Sequence, residues 1–182
     1  MEFYTTDKWD EDIWTQAGSI YRQAFEASAS KTEAIIRRVI QRKLGHLHFA
    51  KEGSDMTAMA LTGKLEGIDA LVIDYIAVRE DRRSQGTGQL FLDYILSWAR
   101  NSEHCDGVVV EIEYEDSPFY QKRVHFWQQS DFLLTSYVHT YKWVPEKYQA
   151  MYLIIEQSAQ IPTEGELLFE HITEFHEKAY RR

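Results

Sequence analysis

A short basic turn with two glycines joins an apolar segment to an amphipathic one, and its composition suits a bound phosphate group. It reads Val78-Arg-Glu-Asp-Arg-Arg-Ser-Gln-Gly-Thr-Gly. The first N–H groups of a helix lack intrahelical partners and lie at the positive end of the helix dipole. Gly86 and Gly88 remove side chains that would keep an anion from those amides, while Arg82 and Arg83 add positive charge. We predict a phosphate or pyrophosphate site at this turn.

Two other phosphate-binding motifs do not fit the same turn. A P-loop requires Lys followed by Ser or Thr, and neither dipeptide is present here. A dinucleotide fingerprint requires a small residue three positions after its second glycine, where this chain has Phe91. The alternative for a G-x-G taken alone is a plain reversing turn without a ligand.

Acidic residues on two neighbouring predicted strands are candidates for proton transfer. Asp74 stands four residues before Val78 in an otherwise apolar run, where a charge is costly unless it is paired. Glu111, Glu113 and Glu115 share one face of the next strand, because side chains alternate along a strand. A solvated strand face is the alternative explanation for both sets. We predict Asp74 as the first candidate base and Glu111 as the second.

Other reactive side chains favour structural roles. The single cysteine, Cys105, excludes an internal disulfide and a cysteine metal cluster, and we predict it to be a buried thiol. His46 and His48 share a strand face but lack a third ligand, so no metal site is predicted. An aromatic row lies on one face of a later predicted strand; its members are Tyr137, His139, Tyr141 and Trp143. The first interpretation is that the row packs against a helix. The alternative is that it lines an acceptor pocket and binds a protonated amine by cation–π contact.

Hydrophobic periodicity places these residues on alternating strands and helices. The predicted order is β-α-α-β-β-β-α-β-α-β-β-α, with helices over 13–27, 32–44 and 85–100. Ser117-Pro118 predicts a helix start, and Thr163 with Glu166 predicts a capping box opening a final helix.

The fold class is α/β, with a single mixed, mostly antiparallel sheet flanked by helices. We predict one domain over 1–157 and a C-terminal helical extension over 158–182, which serves as a packing arm, a dimer contact or a lid.

Composition excludes several classes of protein. The chain has 182 residues, 44% of them hydrophobic, which suffices for a sizeable core. A net charge of −9 disfavours non-specific nucleic-acid binding and is compatible with a cationic substrate. The sequence lacks a signal pattern and a membrane-span-length apolar run. We therefore expect a cytoplasmic protein without nucleic-acid or membrane partners.

The strand, turn and helix together resemble the acetyl-CoA signature of the GNAT family of N-acetyltransferases. That signature is a strand ending in Val, a few polar residues and then [RQ]-x-x-G-x-[GA], which here is Arg83-Ser-Gln-Gly-Thr-Gly88. The preceding segment DYIAV resembles the family's fourth strand, and the element order over about residues 1–157 resembles its fold. The resemblance implies acetyl-CoA as cosubstrate.

The resemblance also implies how the cosubstrate is held. Backbone groups of Ile76 and Val78, with Ala77 between them, would pair with the pantetheine arm like an added strand. The Val78 N–H would donate to the thioester oxygen. The pyrophosphate would lie at Arg83 and at the following amides; these belong to Ser84, Gln85, Gly86, Thr87, Gly88 and Gln89.

One part of the family pattern is altered. Relatives commonly place a tyrosine near the end of the fourth helix to protonate the leaving thiolate, in a Y-x-x-x-G-F sequence. Here the segment is FWQQSDF, with Trp127 at the tyrosine position and Asp131 at the glycine position. Asp tolerates a left-handed backbone, so the helix can still end there. Tyr120, two turns earlier on the same face, is the substitute we predict as acid, and the alternative for it is a role in packing the core or the cofactor.

The sequence thus predicts an N-acetyltransferase in which an amine attacks acetyl-CoA directly, without a covalent enzyme intermediate. A small amine is the first choice of acceptor, and a lysine or a protein N-terminus is the second. One alternative is a GNAT-fold protein that binds acyl-CoA without turnover, as a sensor or scaffold. Another is a nucleotide-binding regulator that uses the same turn.

Overall fold

The order of helices and strands is as predicted. A computed structural model of the chain describes residues 1–27, 30–156 and 160–181. Within them the elements are β1 (Glu2–Thr6), α1 (Glu11–Ala24), α2 (Glu33–Gln41), β2 (Gly45–Glu52), β3 (Asp55–Leu65), β4 (Ala70–Val78), a 3-10 turn (Glu80–Arg82), α3 (Thr87–Asn101), β5 (Gly107–Tyr114), α4 (Pro118–Gln128), β6 (Leu133–Thr140), β7 (Lys147–Ile154) and α5 (Gly165–Tyr180).

The strands form one seven-stranded sheet in the order β1-β2-β3-β4-β5-β7-β6. β1 with β2, β2 with β3, β5 with β7 and β6 with β7 pair antiparallel. β4 and β5 pair parallel, from Ala70 opposite Gly107 to Ile73 opposite Val110. The predicted fold class, a mixed and mostly antiparallel sheet with flanking helices and a C-terminal helix, is confirmed.

The chain divides into two compact units. The first comprises Met1–Gly63, Asp74–Leu96 and Lys178–Arg182, and the second comprises Lys64–Ile73 and Ser97–Glu177. β4 contributes its first four residues to the second unit and its remainder to the first. The predicted boundary between residues 157 and 158 lies outside the described residues, so the division at that point stays a prediction.

Each unit has an apolar core that follows from its sequence pattern. In the first, α2 lies against β2 and buries Ile36, Val39 and Ile40, which recur at helical spacing. In the second, the consecutive valines 108–110 of β5 are all buried, as expected of a strand covered on both faces. Every described helix is too short or too polar to cross a membrane.

Helix boundaries are where the sequence predictions were least accurate. α1 begins at Glu11, two residues before the prediction, because the Asp10 carboxylate caps it by accepting from the N–H of Ile13. The predicted capping box of Thr163 with Glu166 is wrong. α5 begins at Gly165, the carbonyl of Glu164 accepts from the N–H of Leu168, and the Glu164 carboxylate accepts from the N–H of Thr163.

Two further predictions concern the ends of α4 and β6. The Ser117 hydroxyl caps α4 by accepting from the N–H of Tyr120, with Pro118 in the first turn, as predicted. Asp131 has the left-handed φ of 63° that its position after α4 requires. β6 ends at Thr140, so Tyr141 lies beyond the strand that the sequence predicted to continue.

Candidate active site

The turn between β4 and α3, where the sequence predicts a phosphate site, has a left-handed backbone at two positions. We call residues 83–89 the cradle. Within it Ser84 has φ 60° and Gly86 has φ 81°, so two left-handed residues redirect the chain immediately before α3 begins at Thr87. A Cβ built on Gly86 would meet no atom within 4 Å, so backbone conformation rather than crowding requires glycine there. The first N–H groups of α3 follow directly, at the positive end of its dipole.

Side chains brace this turn from both ends. Arg83 donates its Nε–H to the carbonyl of Val78 at 3.0 Å, and Gln85 donates its Nε2–H to the carbonyl of Asp81 at 2.9 Å. Arg82 was predicted to add positive charge, but it pairs with Glu52 at 2.9 Å. Its charge is therefore largely compensated, so the predicted attraction for an anion would come from Arg83 and the helix amides.

Asp74 lies in β4 and forms a buried ion pair with a residue that the sequence did not point to. The Lys31 ammonium donates to Oδ1 of Asp74 at 2.8 Å, and the two side chains are only 3% and 2% exposed. Oδ2 of Asp74 is buried without a hydrogen-bond partner. A buried carboxylate is tolerated when an ammonium compensates it, which explains the charge in this apolar strand.

Tyrosines hold Lys31 in place. Tyr75 accepts the Lys31 main-chain N–H at 3.1 Å, and Tyr21 donates its hydroxyl to the Lys31 carbonyl at 3.0 Å. The ammonium also lies 5.2 Å from the centre of the Tyr75 ring and 5.8 Å from that of Tyr180, within cation–π range. Burial raises the pKa of Tyr21 to about 12 and also raises the pKa of Tyr75, so both phenols stay protonated at neutral pH.

Glu111, the second candidate base, lies in β5 and accepts hydrogen bonds on both carboxylate oxygens. The Tyr141 hydroxyl donates to Oε2 at 2.7 Å, and Nε2 of His176 is 2.6 Å from Oε1. The side chains of His176 and Glu111 are 7% and 11% exposed. The alternative explanation, a solvated strand face, does not hold for Glu111, because α5 and the residues after β6 cover it.

Tyr120, the predicted acid, lies in the first turn of α4 and donates its hydroxyl to Oε1 of Gln149. Nε2 of Gln149 donates to the carbonyl of Thr135 at 3.0 Å, which orients the amide. Burial, with a smaller contribution from Tyr114, raises the pKa of Tyr120 above its ordinary value. The phenol is therefore a protonated donor at neutral pH.

Two residues around the candidate carboxylates, His176 and Lys31, were missed by sequence reasoning. His176 carried a weak signal, since it stands four residues after Ile172 on the buried stripe of α5, where a polar side chain needs a partner. Lys31 carried none, because its partner is distant in sequence. Tyr141 was predicted as a member of the aromatic row but not as a partner of Glu111.

The buried histidine of β2, His48, and the lone cysteine have structural roles. His48 is fully buried, and its two ring nitrogens lie 2.8 Å from the hydroxyls of Thr5 and Thr62. A ring held by two hydroxyls explains His48 without a metal. Cys105 is buried as predicted, and burial raises the pKa of its thiol to about 11, which makes it a poor nucleophile.

The aromatic row packs against α5, as the first of its two interpretations predicted. The His139 ring stacks on Phe169 at 4.3 Å, and Tyr137 and Tyr141 have ring centres 6.0 and 6.1 Å from the same phenylalanine. Trp143 is 50% exposed at the end of the row. The row therefore holds the C-terminal helix on the sheet of the second unit.

The sheet order and the cradle define the acetyltransferase fold of the GNAT class. A GNAT acetyltransferase from Bacteroides thetaiotaomicron is similar with a TM-score of 0.74 and 14% identity, covering 97% of this chain and 95% of that one. The ribosomal-protein-S18-alanine N-acetyltransferase of Escherichia coli is similar with a TM-score of 0.63 and 15% identity, covering 88% and 99%. An acetyltransferase of Salmonella typhimurium solved with acetyl-CoA is similar with a TM-score of 0.65 and 13% identity, covering 90% and 99%. These likenesses establish the fold.

The family follows from the sequence. The model of the Acetyltransferase (GNAT) family matches residues 7–129, more than half of the chain. The chain belongs to the GNAT acetyltransferase family, which confirms the resemblance seen in its strand–turn–helix segment. A comparison with curated protein sequences found no match.

Proposed function

We propose that this protein is an N-acetyltransferase that moves the acetyl group of acetyl-CoA to a primary amine. The observation that carries the proposal is the cradle, in which two left-handed residues and the start of α3 follow a β-strand. Membership of the GNAT family and the acetyl-CoA present in the similar Salmonella typhimurium structure support it.

The cradle suits the pyrophosphate of the cosubstrate. Its main-chain amides from Ser84 to Gln89 would hold the anion, and the open space beside Gly86 leaves them accessible. Arg83 supplies positive charge while bracing the turn. The backbone of β4 at the half-buried Ile76 and Val78, with the buried Ala77 between them, would pair with the pantetheine arm.

The chain's own groups would then assist the chemistry. An alkylamine is almost wholly protonated at neutral pH, so a base is needed. We propose Asp74, which is paired with Lys31, as the first candidate and Glu111 as the second. The Val78 N–H would stabilise the developing oxyanion. Tyr120 would protonate the departing thiolate, for which its raised pKa keeps the proton available.

We propose a small amine as the acceptor. The net charge of −9 favours the approach of a cation. A protein N-terminus or a lysine is the second choice, and the similar Escherichia coli enzyme, whose name describes an alanine of a ribosomal protein, supports a protein acceptor. Three further expectations stay predictions. They are the cytoplasmic location, the absence of nucleic-acid partners and a dimer contact through the C-terminal helix.

One observation favours the alternative of an acyl-CoA-binding protein without turnover. Trp127 stands where relatives commonly have the acidic tyrosine, is 4% exposed and contacts Phe132 with ring centres 5.1 Å apart. It is a core residue without an exchangeable proton of suitable pKa. Turnover of acetyl-CoA with any amine would exclude this alternative.

Gly88→Glu is expected to raise the Kd for acetyl-CoA at least about tenfold, because it places a carboxylate among the cradle amides. Calorimetric titration measures the change. Ser97→Glu is the matched control, since it adds the same charge at an exposed site about 13 Å further along α3 and should bind normally. Failure of the native protein to bind acetyl-CoA, or displacement of acetyl-CoA by ATP, would contradict the proposal.

Tyr120→Phe is expected to lower kcat by about tenfold to a hundredfold without changing the Kd for acetyl-CoA, because only the transferable proton is lost. Steady-state release of CoA with a saturating amine measures kcat. Tyr114→Phe, which changes the neighbouring ring in contact with Tyr120, should leave kcat near the native value. An unchanged kcat in Tyr120→Phe would mean that this hydroxyl only positions Gln149.

A further inference from the structure

The chain between β4 and the cradle is a short charged segment, Arg79-Glu-Asp-Arg82, which we call the charged link. Its last three residues form the 3-10 turn that precedes Arg83, the first residue of the cradle. Arg82 pairs with Glu52 at the end of β2, and the other side chains reach β3 and α1. The charged link, these contacts and the cradle all belong to the first unit.

Arg79 attaches the charged link to β3. Its main-chain N–H donates to the carbonyl of Thr57 at 2.9 Å, and its Nη1–H donates to the carbonyl of Met56 at 3.1 Å. The same guanidinium makes a forked ion pair with Asp81, with Nε 2.6 Å from Oδ1 and Nη2 3.0 Å from Oδ2. A planar guanidinium fits both oxygens of a carboxylate at once, so this fork fixes the direction of the turn relative to β3.

Gln23, in the last turn of α1, attaches the charged link to that helix. Its Oε1 accepts from the main-chain N–H of Glu80 at 3.0 Å, and its Nε2–H donates to the Glu80 carboxylate at 3.4 Å. The first N–H groups of a helical turn have no partner within the turn, so Gln23 is a cap supplied by another element. The Glu80 carbonyl accepts from the N–H of Arg83 at 3.3 Å, which connects this cap to the cradle.

The cradle depends on such anchors because of its own conformation. Ser84 and Gly86 are left-handed, and residues 83–86 are exposed, so core packing contributes little to holding them. A left-handed backbone is unfavourable for serine, and an exposed glycine has many conformations open to it. A loop that becomes ordered only when its ligand binds loses part of the binding free energy to that ordering. Anchors that order the loop beforehand therefore increase affinity.

We propose that Gln23 and the Arg79–Asp81 fork are positioning residues that hold the cradle in its acetyl-CoA-binding conformation before the cosubstrate arrives. This inference rests on the proposed function. Asp81 is the informative member, since its carboxylate stands two residues before the cradle, where a negative charge by itself repels a pyrophosphate. Its positioning role and its charge thus have opposite effects on binding.

Asp81→Asn separates these two effects. Loss of the fork is expected to raise the Kd for acetyl-CoA about fivefold to tenfold, whereas loss of the charge alone would lower it. Calorimetric titration measures the Kd together with the fraction of protein that binds. Asp55→Asn is the matched control. Hydrogen bonding to Asp81 and, more weakly, the charge of Asp55 raise the pKa of Arg79, so Asp55→Asn removes the same charge near the fork while leaving the fork intact. Its Kd should equal the native value or fall slightly.

Gln23→Leu is a second variant, at an exposed position, that changes no charge. It should raise the Kd about threefold to fivefold, because one cap of the charged link is lost. With saturating acetyl-CoA, kcat should not fall in Gln23→Leu or in Asp81→Asn, since an occupied cradle is already ordered. Weaker binding in both variants, with kcat retained and Asp55→Asn unaffected, supports the inference.

Three results would overturn the inference while leaving the proposed function intact. They are a native Kd in both variants, tighter binding by Asp81→Asn, and a smaller binding-competent fraction at native Kd, which loss of folding alone would produce. Failure of the native protein to bind acetyl-CoA would instead overturn the proposed function, and this inference with it.

Discussion

Replacing Lys31 with methionine is expected to lower the free energy of unfolding by about 3–5 kcal/mol. Methionine keeps the length and much of the apolar stem of lysine, but it removes the ammonium 2.8 Å from the Asp74 carboxylate. That carboxylate is 2% exposed and has one oxygen already without a hydrogen-bond partner. An uncompensated charge in such a place is far more costly than the loss of one hydrogen bond.

Urea denaturation measures the effect, and an exposed ion pair supplies the matched control. Lys43 pairs with Asp7 on the surface, with side chains 60% and 40% exposed. Lys43→Met should therefore change stability much less, because water screens that pair. Combining Lys31→Met with Asp74→Asn should recover part of the loss, since the buried negative charge is gone. A cost for Lys31→Met no larger than that for Lys43→Met would contradict this account of the pair.

Lowering the pH is expected to destabilise the protein through His48. Burial, with a smaller contribution from the charge of His46, lowers the pKa of His48 from 6.5 to about 3. In the unfolded chain the ring takes up a proton below about pH 6.5, whereas in the folded protein it does so only near pH 3. Between these values the unfolded state binds more protons, so the stability that is complete above pH 6.5 is lost as the pH falls.

The expected loss from this histidine between pH 7.5 and pH 4 is about 3 kcal/mol. Urea denaturation of the native protein and of His48→Gln across this range measures it, because glutamine can still bond to the threonine hydroxyls but does not titrate. The variant should show a flatter pH dependence. His46→Gln, at the half-buried neighbour on the same strand face, should retain the native slope. Identical slopes for all three proteins would contradict the prediction.

Features that depend on neighbours in the chain were predictable. The order of helices and strands follows from hydrophobic periodicity. Ser117, before Pro118, caps the start of α4, and Asp131 has the left-handed backbone predicted for its position after that helix. The strand–turn–helix segment identified the family for the same reason, since its glycines act on the backbone immediately around them. Helix ends were less accurate, because competing caps differ by only small energies.

Side-chain partners were not predictable. Asp74 was recognised as a charge that needed a partner, but Lys31 lies 43 residues away and only packing of its loop brings it near. Glu111 was grouped with Glu113 and Glu115 by strand alternation, and that pattern carries no information about what covers the strand. His176 lies 65 residues from Glu111, on a helix whose docking depends on the whole aromatic row.

The sequence by itself therefore determined the fold class, the family and the place of the cradle, because these rest on local periodicity and on backbone conformation. Tertiary structure alone decided which charges are buried in pairs and which hydrogen bonds the candidate carboxylates accept. The physical reason is that the ionisation and reactivity of a group depend on its solvation and on neighbours brought together by packing. For Asp74, Glu111 and His48 those neighbours come from separate elements, which no local pattern specifies.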